Sequence, residues 1–343
     1  MSGAAPIRIA ALAAAALLAA CAPAPRPAQP WRDPSPHRLS FVTVAPGVRL
    51  EVLDWGGRGP PLVFLSGLDD VAHGFDDFGP PFTDHFHVLA ITRRGYGASS
   101  QPATGYDLAT RVADLSAVLD SLHLGPVILA GHSIAGDELT AFAATYPARV
   151  TKLVYFDAAY DHSGIASLLA GYPQPPAMTA ADSASPAAVQ AYQRATMGVR
   201  IPEAQIRATE VFDAAGHLVR NVTPDSIDAE VLRGTGHPDY ATVRAPALAF
   251  YAVHDSAPDL FSYWGMMDDS ARAAARAWTA RFRAWSAVQR ALFRRRMRHA
   301  TIVLLPGANH YVFSSNRDTV AARMRAFLAS GPGSISGARR SGR

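Results

Sequence analysis

Residues 127–136 read Val-Ile-Leu-Ala-Gly-His-Ser-Ile-Ala-Gly. The first four residues form a short apolar run, which is typical of a strand buried on both faces of a sheet. Gly131-His132-Ser133-Ile134-Ala135 then has the form Gly-x-Ser-x-Gly/Ala, and the helical stretch Leu139–Tyr146 follows. A serine on a sharp strand-to-helix turn stands exposed above the sheet, and small neighbours let the two backbones approach closely. The stretch therefore predicts a nucleophilic serine at position 133.

Similar apolar runs recur along the chain, and helical patterns separate several of them. Alternating residues around Ala45-Pro46-Gly47 add a β-hairpin near the start of the folded part. Strands that alternate with helices indicate a mostly parallel sheet with helices on both faces. The apolar runs are Leu62–Leu65, Val88–Ile91, Val127–Ala130, Leu153–Phe156, Ala247–Val253 and Ile302–Leu305.

Residues 158–240 do not fit this alternation, because they contain no clear buried strand. Helix starts are indicated at Ser185-Pro186 and Thr223-Pro224, where a capping residue precedes a proline. We therefore expect a largely helical cap insertion over 158–240. It divides a core domain made of residues 38–157 and 241–330, and residues 331–343 are expected to form a flexible tail.

Four segments besides the serine turn resemble those of the α/β-hydrolase family, and the resemblance covers about residues 38–330. It implies a mostly parallel eight-stranded sheet with helices on both faces and a cap. The segments are Val63–Gly67, like the strand that ends at the family's oxyanion turn; Arg93–Ser99, like its D-x-R-G-x-G-x-S loop; Ala252–Asp255, where a strand often ends at the triad acid; and Pro306–His310, where the family keeps its histidine.

The resemblance implies a catalytic triad of Ser133, Asp255 and His310, in the family's chain order. His310 would take the serine proton during attack and return it to the leaving group. Asp255 would hold the tautomer of the imidazole and stabilise the imidazolium. Asp157 ends the preceding strand and is the competing acid, because some family members carry the acid there.

The family's oxyanion donors correspond to the backbone N–H groups of Leu68 and Ile134. The sequence departs from the usual pattern at two positions nearby. Ser66 stands where many members have histidine, and Ala135 replaces the second glycine of the serine turn. Neither change removes a backbone donor, so both bear on the subfamily and not on the chemistry.

The resemblance implies a serine hydrolase that cleaves a carboxylic ester of a small, fairly apolar and uncharged substrate through an acyl-enzyme. The same fold and triad also serve carbon–carbon hydrolases, amidases or aminopeptidases, and lactonases, and fold alone does not separate these. A further alternative is a non-catalytic, lipid-anchored binding protein on a hydrolase scaffold. The filled triad positions argue against that alternative.

Residues 258–268 are rich in large apolar side chains soon after the expected acid. Phe261, Tyr263, Trp264 and Met267 are predicted to line or cover an apolar substrate pocket; the alternative is that they only fix the insertion to the core. No cofactor or metal motif is present, so neither a cofactor nor a metal is expected. The net charge of +4 argues against a nucleic-acid partner, and no protein partner is implied.

The N-terminus carries an export signal. Residues 1–20 combine early positive charge with an apolar run, as in signal peptides, and Leu18-Ala19-Ala20-Cys21 resembles the bacterial lipobox. The resemblance implies acylation of Cys21, the only cysteine, and a proline-rich tether over 21–37. Ala22 after the cysteine implies transport to the outer membrane, so we expect a lipid-anchored protein of the cell envelope on its periplasmic face.

Overall fold

The computed structural model describes residues 31–330. The chain divides between Pro34 and Ser35 into two units, and every element described below lies in the second. The predicted signal peptide, Cys21, most of the tether and the predicted tail lie outside the described residues.

The second unit is built around one eight-stranded sheet in the order β1-β2-β4-β3-β5-β6-β9-β10. Strand β2 pairs antiparallel with β1 and with β4, and the other neighbours are parallel. This confirms the predicted fold class. The strands are β1 (Arg38–Ala45), β2 (Val48–Gly56), β3 (Pro61–Leu65), β4 (His87–Ile91), β5 (Val127–His132), β6 (Val150–Phe156), β7 (Glu210–Phe212), β8 (Leu218–Asn221), β9 (Ala247–Val253) and β10 (Ala300–Pro306).

Helices lie between most of the strands, as the alternation in the sequence predicts. The α-helices of the described residues are α1 (Leu108–Ser121), α2 (Ala135–Thr145), α3 (Ile165–Leu169), α4 (Pro186–Met197), α5 (Glu203–Thr209), α6 (Asp225–Arg233), α7 (Ala257–Leu260), α8 (Asp269–Arg296), α9 (Val312–Ser315) and α10 (Arg317–Ala329).

Residues 158–240 contribute no strand to the main sheet. They form α3 to α6 and a small hairpin of β7 and β8, which the sequence did not predict. The hydroxyl of Ser185 accepts from the N–H of Ala188 at 3.1 Å, so α4 begins at Pro186 as expected. Helix α6 begins at Asp225, one residue later than Thr223-Pro224 suggested.

Two apolar layers cover the two faces of the sheet. Helices α1, α2 and α8 pack on one face, and helix α10 with the short 3₁₀ turns after β3 packs on the other. All six residues of β5 are buried, because this central strand is covered on both sides. Its near-continuous apolar sequence follows from that position.

The parallel arrangement decides where chemistry can take place. Strands β3, β5, β6, β9 and β10 run in the same direction, so their carboxyl ends meet at one edge of the sheet. The predicted serine, histidine and both competing carboxylates follow these strand ends. Loops at this edge therefore bring together residues that are far apart in sequence.

Candidate active site

Ser133 occupies a strained turn between β5 and α2. Its φ of +53° lies in the left-handed region, where a residue other than glycine costs roughly 1–3 kcal/mol unless its surroundings hold it. The N–H of Ser133 donates to the carbonyl of Phe156 at 3.3 Å, which fixes the turn to the end of β6. This is the conformation that the sequence predicted.

The small residues around the serine are required by close contacts. A Cβ at Gly131 would lie 2.6 Å from Cδ1 of Leu139, and a Cβ at Gly136 would lie 1.8 Å from the carbonyl oxygen of Ala158. Helix α2 therefore crosses the segment after β6 at a distance that only glycine allows. The backbone of the turn is held on two sides.

His310 lies on the loop between β10 and α9 and pairs with a buried carboxylate. Its Nδ1 is 2.7 Å from Oδ2 of Asp157, whose side chain is only 2% exposed. The loop lies beside the serine turn: the rings of His132 and His310 are 4.5 Å apart, and Nε2 of His132 is 3.3 Å from the carbonyl oxygen of His310. The side chain of His310 is 46% exposed, so a substrate can reach it.

Asp157 is held as an anion by three groups. Oδ1 accepts from the hydroxyl of Tyr160 at 2.5 Å and from the N–H of Ala252 at 3.0 Å, while Oδ2 faces His310. Burial disfavours the charged form, but the hydrogen bond and charge of His310, with the two other donors, hold the pKa of Asp157 below its ordinary value. A carboxylate held in this way can orient the imidazole and stabilise its protonated form.

The prediction that Asp255 pairs with His310 is wrong. The side chain of Asp255 is 82% exposed, and its nearest ion partner is Arg283 at 4.0 Å. The reason is local: the chain turns directly after β9 into helix α7, and the carboxylate of Asp259 accepts from the N–H groups of Asp255 and Ser256. This capped turn points Asp255 to solvent, and the competing acid Asp157 takes the position next to the histidine.

The turn after β3 contains Leu68, the first predicted oxyanion donor. A buried guanidinium fixes this turn, because Arg93 donates to the carbonyls of Ser66 at 2.8 Å and Gly67 at 2.7 Å. Arg93 also donates to Glu138 of helix α2 at 2.9 Å. Arg93 therefore connects the oxyanion turn to helix α2, which begins two residues after Ser133.

Ile134, the second predicted donor, follows Ser133 and precedes helix α2, where the first N–H groups of a helix favour negative charge. Both donor residues belong to one apolar cluster, together with Ile227 and Val231 of helix α6. The cap insertion therefore covers the two oxyanion positions with aliphatic side chains. A substrate bound at these positions would contact apolar side chains.

A second carboxylate connects the oxyanion turn to the cap and to the histidine loop. Asp70 is only 5% exposed. Its Oδ1 accepts from Nε2 of Gln205 in α5 at 2.6 Å and from the hydroxyl of Tyr311 at 3.2 Å. Its Oδ2 lies 3.4 Å from Nδ1 of His132. Neither Gln205 nor Tyr311 belongs to a motif, so this network could not be predicted from sequence.

Asp69, at the same turn, lies among other acidic groups and has a φ of +60°. Partial burial and the nearby carboxylates of Asp228, Asp70 and Glu210 raise its pKa to about 7. Burial also raises the pKa of Glu210 to about 7. This side of the site therefore carries negative charge that grows as the pH rises.

The four predicted pocket residues lie elsewhere. Phe261, Tyr263 and Met267 are buried in a cluster with Trp278 of helix α8, and Trp264 packs at its edge. The hydroxyl of Tyr263 donates to the carbonyl of Pro173 in the insertion. In the described chain, these contacts attach the insertion to the core, which was the alternative interpretation.

Comparisons with known proteins agree with this geometry. Residues 60–217 match the family model described as the alpha/beta hydrolase fold. A non-heme chloroperoxidase of Streptomyces lividans is 38% identical over 123 residues, which are 35% of this chain and 45% of that protein. A bifunctional esterase/perhydrolase of Acinetobacter calcoaceticus is 32% identical over 117 residues, which are 32% of this chain and 40% of that protein.

Among solved structures, that of E-2-(acetamidomethylene)succinate hydrolase is similar with a TM-score of 0.64 and 22% identity. The similarity covers 86% of this chain and 100% of that one. The chain thus spans less than half the length of the two curated relatives, and the structural likeness shows the fold.

Asp157→Asn should slow the reaction of Ser133 with a fluorophosphonate probe, because the amide no longer fixes the tautomer and charge of His310. We expect a fall of about a thousandfold or more. Asp255→Asn is the matched control and should react at the wild-type rate, since its carboxylate faces solvent. Labelling rates followed by mass spectrometry measure both; a slow Asp255→Asn with an unaffected Asp157→Asn would reverse the assignment.

Proposed function

We propose that this protein, which has the α/β-hydrolase fold, is a serine hydrolase that cleaves a carboxylic ester of a small, fairly apolar substrate through an acyl-enzyme. The observation that carries the proposal is the 2.7 Å contact between the buried carboxylate of Asp157 and His310, whose loop lies beside the strained Ser133 turn. These three groups provide the nucleophile, base and orienting acid that acyl transfer needs.

In the first half of the reaction, Nε2 of His310 accepts the proton of the Ser133 hydroxyl as Oγ attacks the ester carbonyl carbon. The negative charge that develops on the carbonyl oxygen is stabilised by the N–H groups of Leu68 and Ile134. The bond to the alcohol then breaks, and the proton on His310 passes to the departing oxygen. An acyl group remains on Ser133.

In the second half, His310 removes a proton from water, and the hydroxide oxygen attacks the acyl carbon. The bond to Oγ breaks, the proton returns to Ser133, and the carboxylic acid leaves. Asp157 keeps the Nδ1–H of the imidazole directed at itself in both halves, so that Nε2 faces the reacting atoms. No additional reactant besides water is needed.

The surroundings of the site support a substrate that is uncharged and partly apolar. Ile227 and Val231 cover the oxyanion residues with aliphatic surface. Asp69, Asp228 and Glu210 add negative charge on the same side, which disfavours an anionic acyl or alcohol group. We therefore expect the cap insertion and the oxyanion turn to contribute to substrate choice.

Short nitrophenyl esters should be hydrolysed by the wild-type protein. In Ser133→Ala, kcat should fall by at least about a thousandfold, because the nucleophile is lost while the fold is kept. Ser167→Ala, which changes an exposed serine of α3, is the control and should retain full activity. Full activity in Ser133→Ala would end the proposal.

The same measurement separates the alternatives. A panel of ester, amide, lactone and β-diketone substrates with matched acyl parts distinguishes an esterase from an amidase, a lactonase or a carbon–carbon hydrolase. A folded protein that neither hydrolyses any of them nor reacts with a fluorophosphonate would instead be a binding protein on this scaffold.

The preference of the protein for neutral over anionic ester substrates should change with pH. Asp69 is neutral below its pKa of about 7 and ionised above it, so negative charge at the site grows between pH 6 and pH 8. The KM of an anionic nitrophenyl ester, divided by that of a neutral ester of equal length, should rise by about threefold or more over this range. Asp69→Asn should flatten the rise; an unchanged pH profile in that variant would remove Asp69 from the substrate site.

We also propose that the protein is anchored in the cell envelope by acylation of Cys21, on the periplasmic face of the outer membrane. In the described residues, no helix has both the length and the apolar character needed to cross a membrane. The support is therefore the lipobox sequence alone.

Radiolabelled palmitate should be incorporated into the wild-type protein in the producing bacterium, because the acyl chains are attached to the cysteine. It should be absent from Cys21→Ser. Equal labelling of both proteins would contradict the anchor.

A further inference from the structure

Two histidines and an aspartate gather outside the active site. His37 immediately precedes β1, and the other two residues belong to the 3₁₀ turn at residues 72–75 and its last cap. We call His37, His73 and Asp76 the His37 cluster. Nδ1 of His37 lies 3.0 Å from Oδ1 of Asp76, and Nδ1 of His73 lies 2.9 Å from Oδ2.

The three side chains are buried and converge. They are 6%, 9% and 5% exposed in the order His37, His73 and Asp76. The two imidazole rings are 5.1 Å apart at an angle of 63°, and the possible ligand atoms of the cluster all lie within 4.8 Å of one another. His73 and Asp76 face the same side because they are three residues apart on one helical turn.

These distances are close to those around a tetrahedral metal ion. With bonds of about 2.0–2.2 Å to imidazole nitrogen and carboxylate oxygen, neighbouring ligand atoms of a zinc site stand about 3.3 Å apart. Each imidazole nitrogen lies about 0.3–0.4 Å closer than this to a different oxygen of Asp76, and the possible ligand atoms all lie within 4.8 Å of one another. Side-chain rotations would therefore bring the two nitrogens and one oxygen around an ion.

The charge of the cluster also favours a cation. Asp76 is a buried carboxylate, and its ion pairs in the described chain are both with imidazoles. Each of its two oxygens faces one imidazole nitrogen, Oδ1 that of His37 and Oδ2 that of His73. A buried anion is stable only when cationic or polar groups compensate it.

We propose that His37, His73 and Asp76 bind one divalent transition-metal ion, with zinc the best match. Two imidazole nitrogens and one carboxylate oxygen are the mixed ligand set that zinc accepts, whereas magnesium and calcium prefer oxygen ligands throughout. Three protein ligands leave a fourth position for water or another oxygen. This site was not predicted from sequence, because the spacing of the three residues matches no familiar metal motif.

The ion would connect the residue that precedes strand β1 to the segment that follows the oxyanion turn. His37 leads into β1, while His73 and Asp76 lie on the segment that continues directly from Leu68. The N–H of Ala72 donates to the hydroxyl of Thr92 at 3.0 Å, which connects this segment to the loop after β4. The inference is structural and does not depend on the proposed hydrolase activity.

The test uses the full-length protein, purified in detergent, freed of metal with a chelator and given excess zinc chloride before desalting. Mass spectrometry of the retained metal should find about one more zinc per wild-type chain than in His73→Ala or Asp76→Asn. Zinc should raise the Tm of the wild type and leave the Tm of both variants unchanged, and its Kd should weaken at least about tenfold in them. The exposed His85, whose side chain is 75% accessible, provides the control His85→Ala, which should behave as the wild type.

Comparing the wild type with the variants distinguishes zinc bound by the His37 cluster from zinc bound by other histidines. If the circular dichroism spectrum shows that His73→Ala or Asp76→Asn does not fold, the variant His37→Gln is used in its place. This change removes one ligand at the edge of the domain. Equal zinc in the wild type and in the folded variants, or no retained zinc in the wild type, overturns the proposal. Loss of the bound zinc to about a hundredfold excess of calcium would overturn the assignment to a transition metal.

Discussion

The geometry of the candidate active site depends on the buried guanidinium of Arg93. This group holds the carbonyls of Ser66 and Gly67 and pairs with Glu138. Glu138 also accepts from Arg111 of helix α1 at 2.9 Å. Burial disfavours the charge of Arg93, but the carboxylate of Glu138 raises its pKa, so the cation stays charged. Breaking such a buried pair costs about 3–5 kcal/mol, because the remaining charge has no solvent.

This ion pair makes the oxyanion turn and the nucleophile turn one rigid body. Glu138 lies five residues after Ser133 on a helix whose position is fixed by the contact of Gly136 with the carbonyl of Ala158. Ala158 itself directly follows Asp157. The donors, the serine and the acid are therefore positioned by backbone packing and one buried charge network, and the histidine meets the acid through the contact between His310 and Asp157. Preorganisation of this kind is what stabilisation of an oxyanion requires.

The sequence predicted much of this arrangement, and its failures have physical causes. Apolar runs locate strands reliably because a doubly covered strand must be apolar, so the serine and histidine could be placed at strand ends. Asp157 and Asp255 both follow parallel strands, and sequence pattern does not distinguish them. Which of the two carboxylates lies next to His310 depends on a left-handed backbone conformation at Asp157, with φ of +47°, and on the capped turn at Asp259. Likewise, the apolar composition of residues 258–268 could not show that Phe261, Tyr263 and Met267 pack against helix α8.

The cap is coupled to the catalytic loop through the single carboxylate of Asp70. One oxygen accepts from Gln205 of the cap and from Tyr311, the neighbour of His310. If the cap lifted to admit a substrate, the bond from Gln205 would break and a buried oxygen would lose its shortest partner, at a cost of roughly 1–3 kcal/mol. Water or a polar substrate group could restore the bond, whereas an apolar group could not. The carboxylate of Asp70 therefore favours the observed contact between helix α5 and the oxyanion turn unless a polar group replaces Gln205.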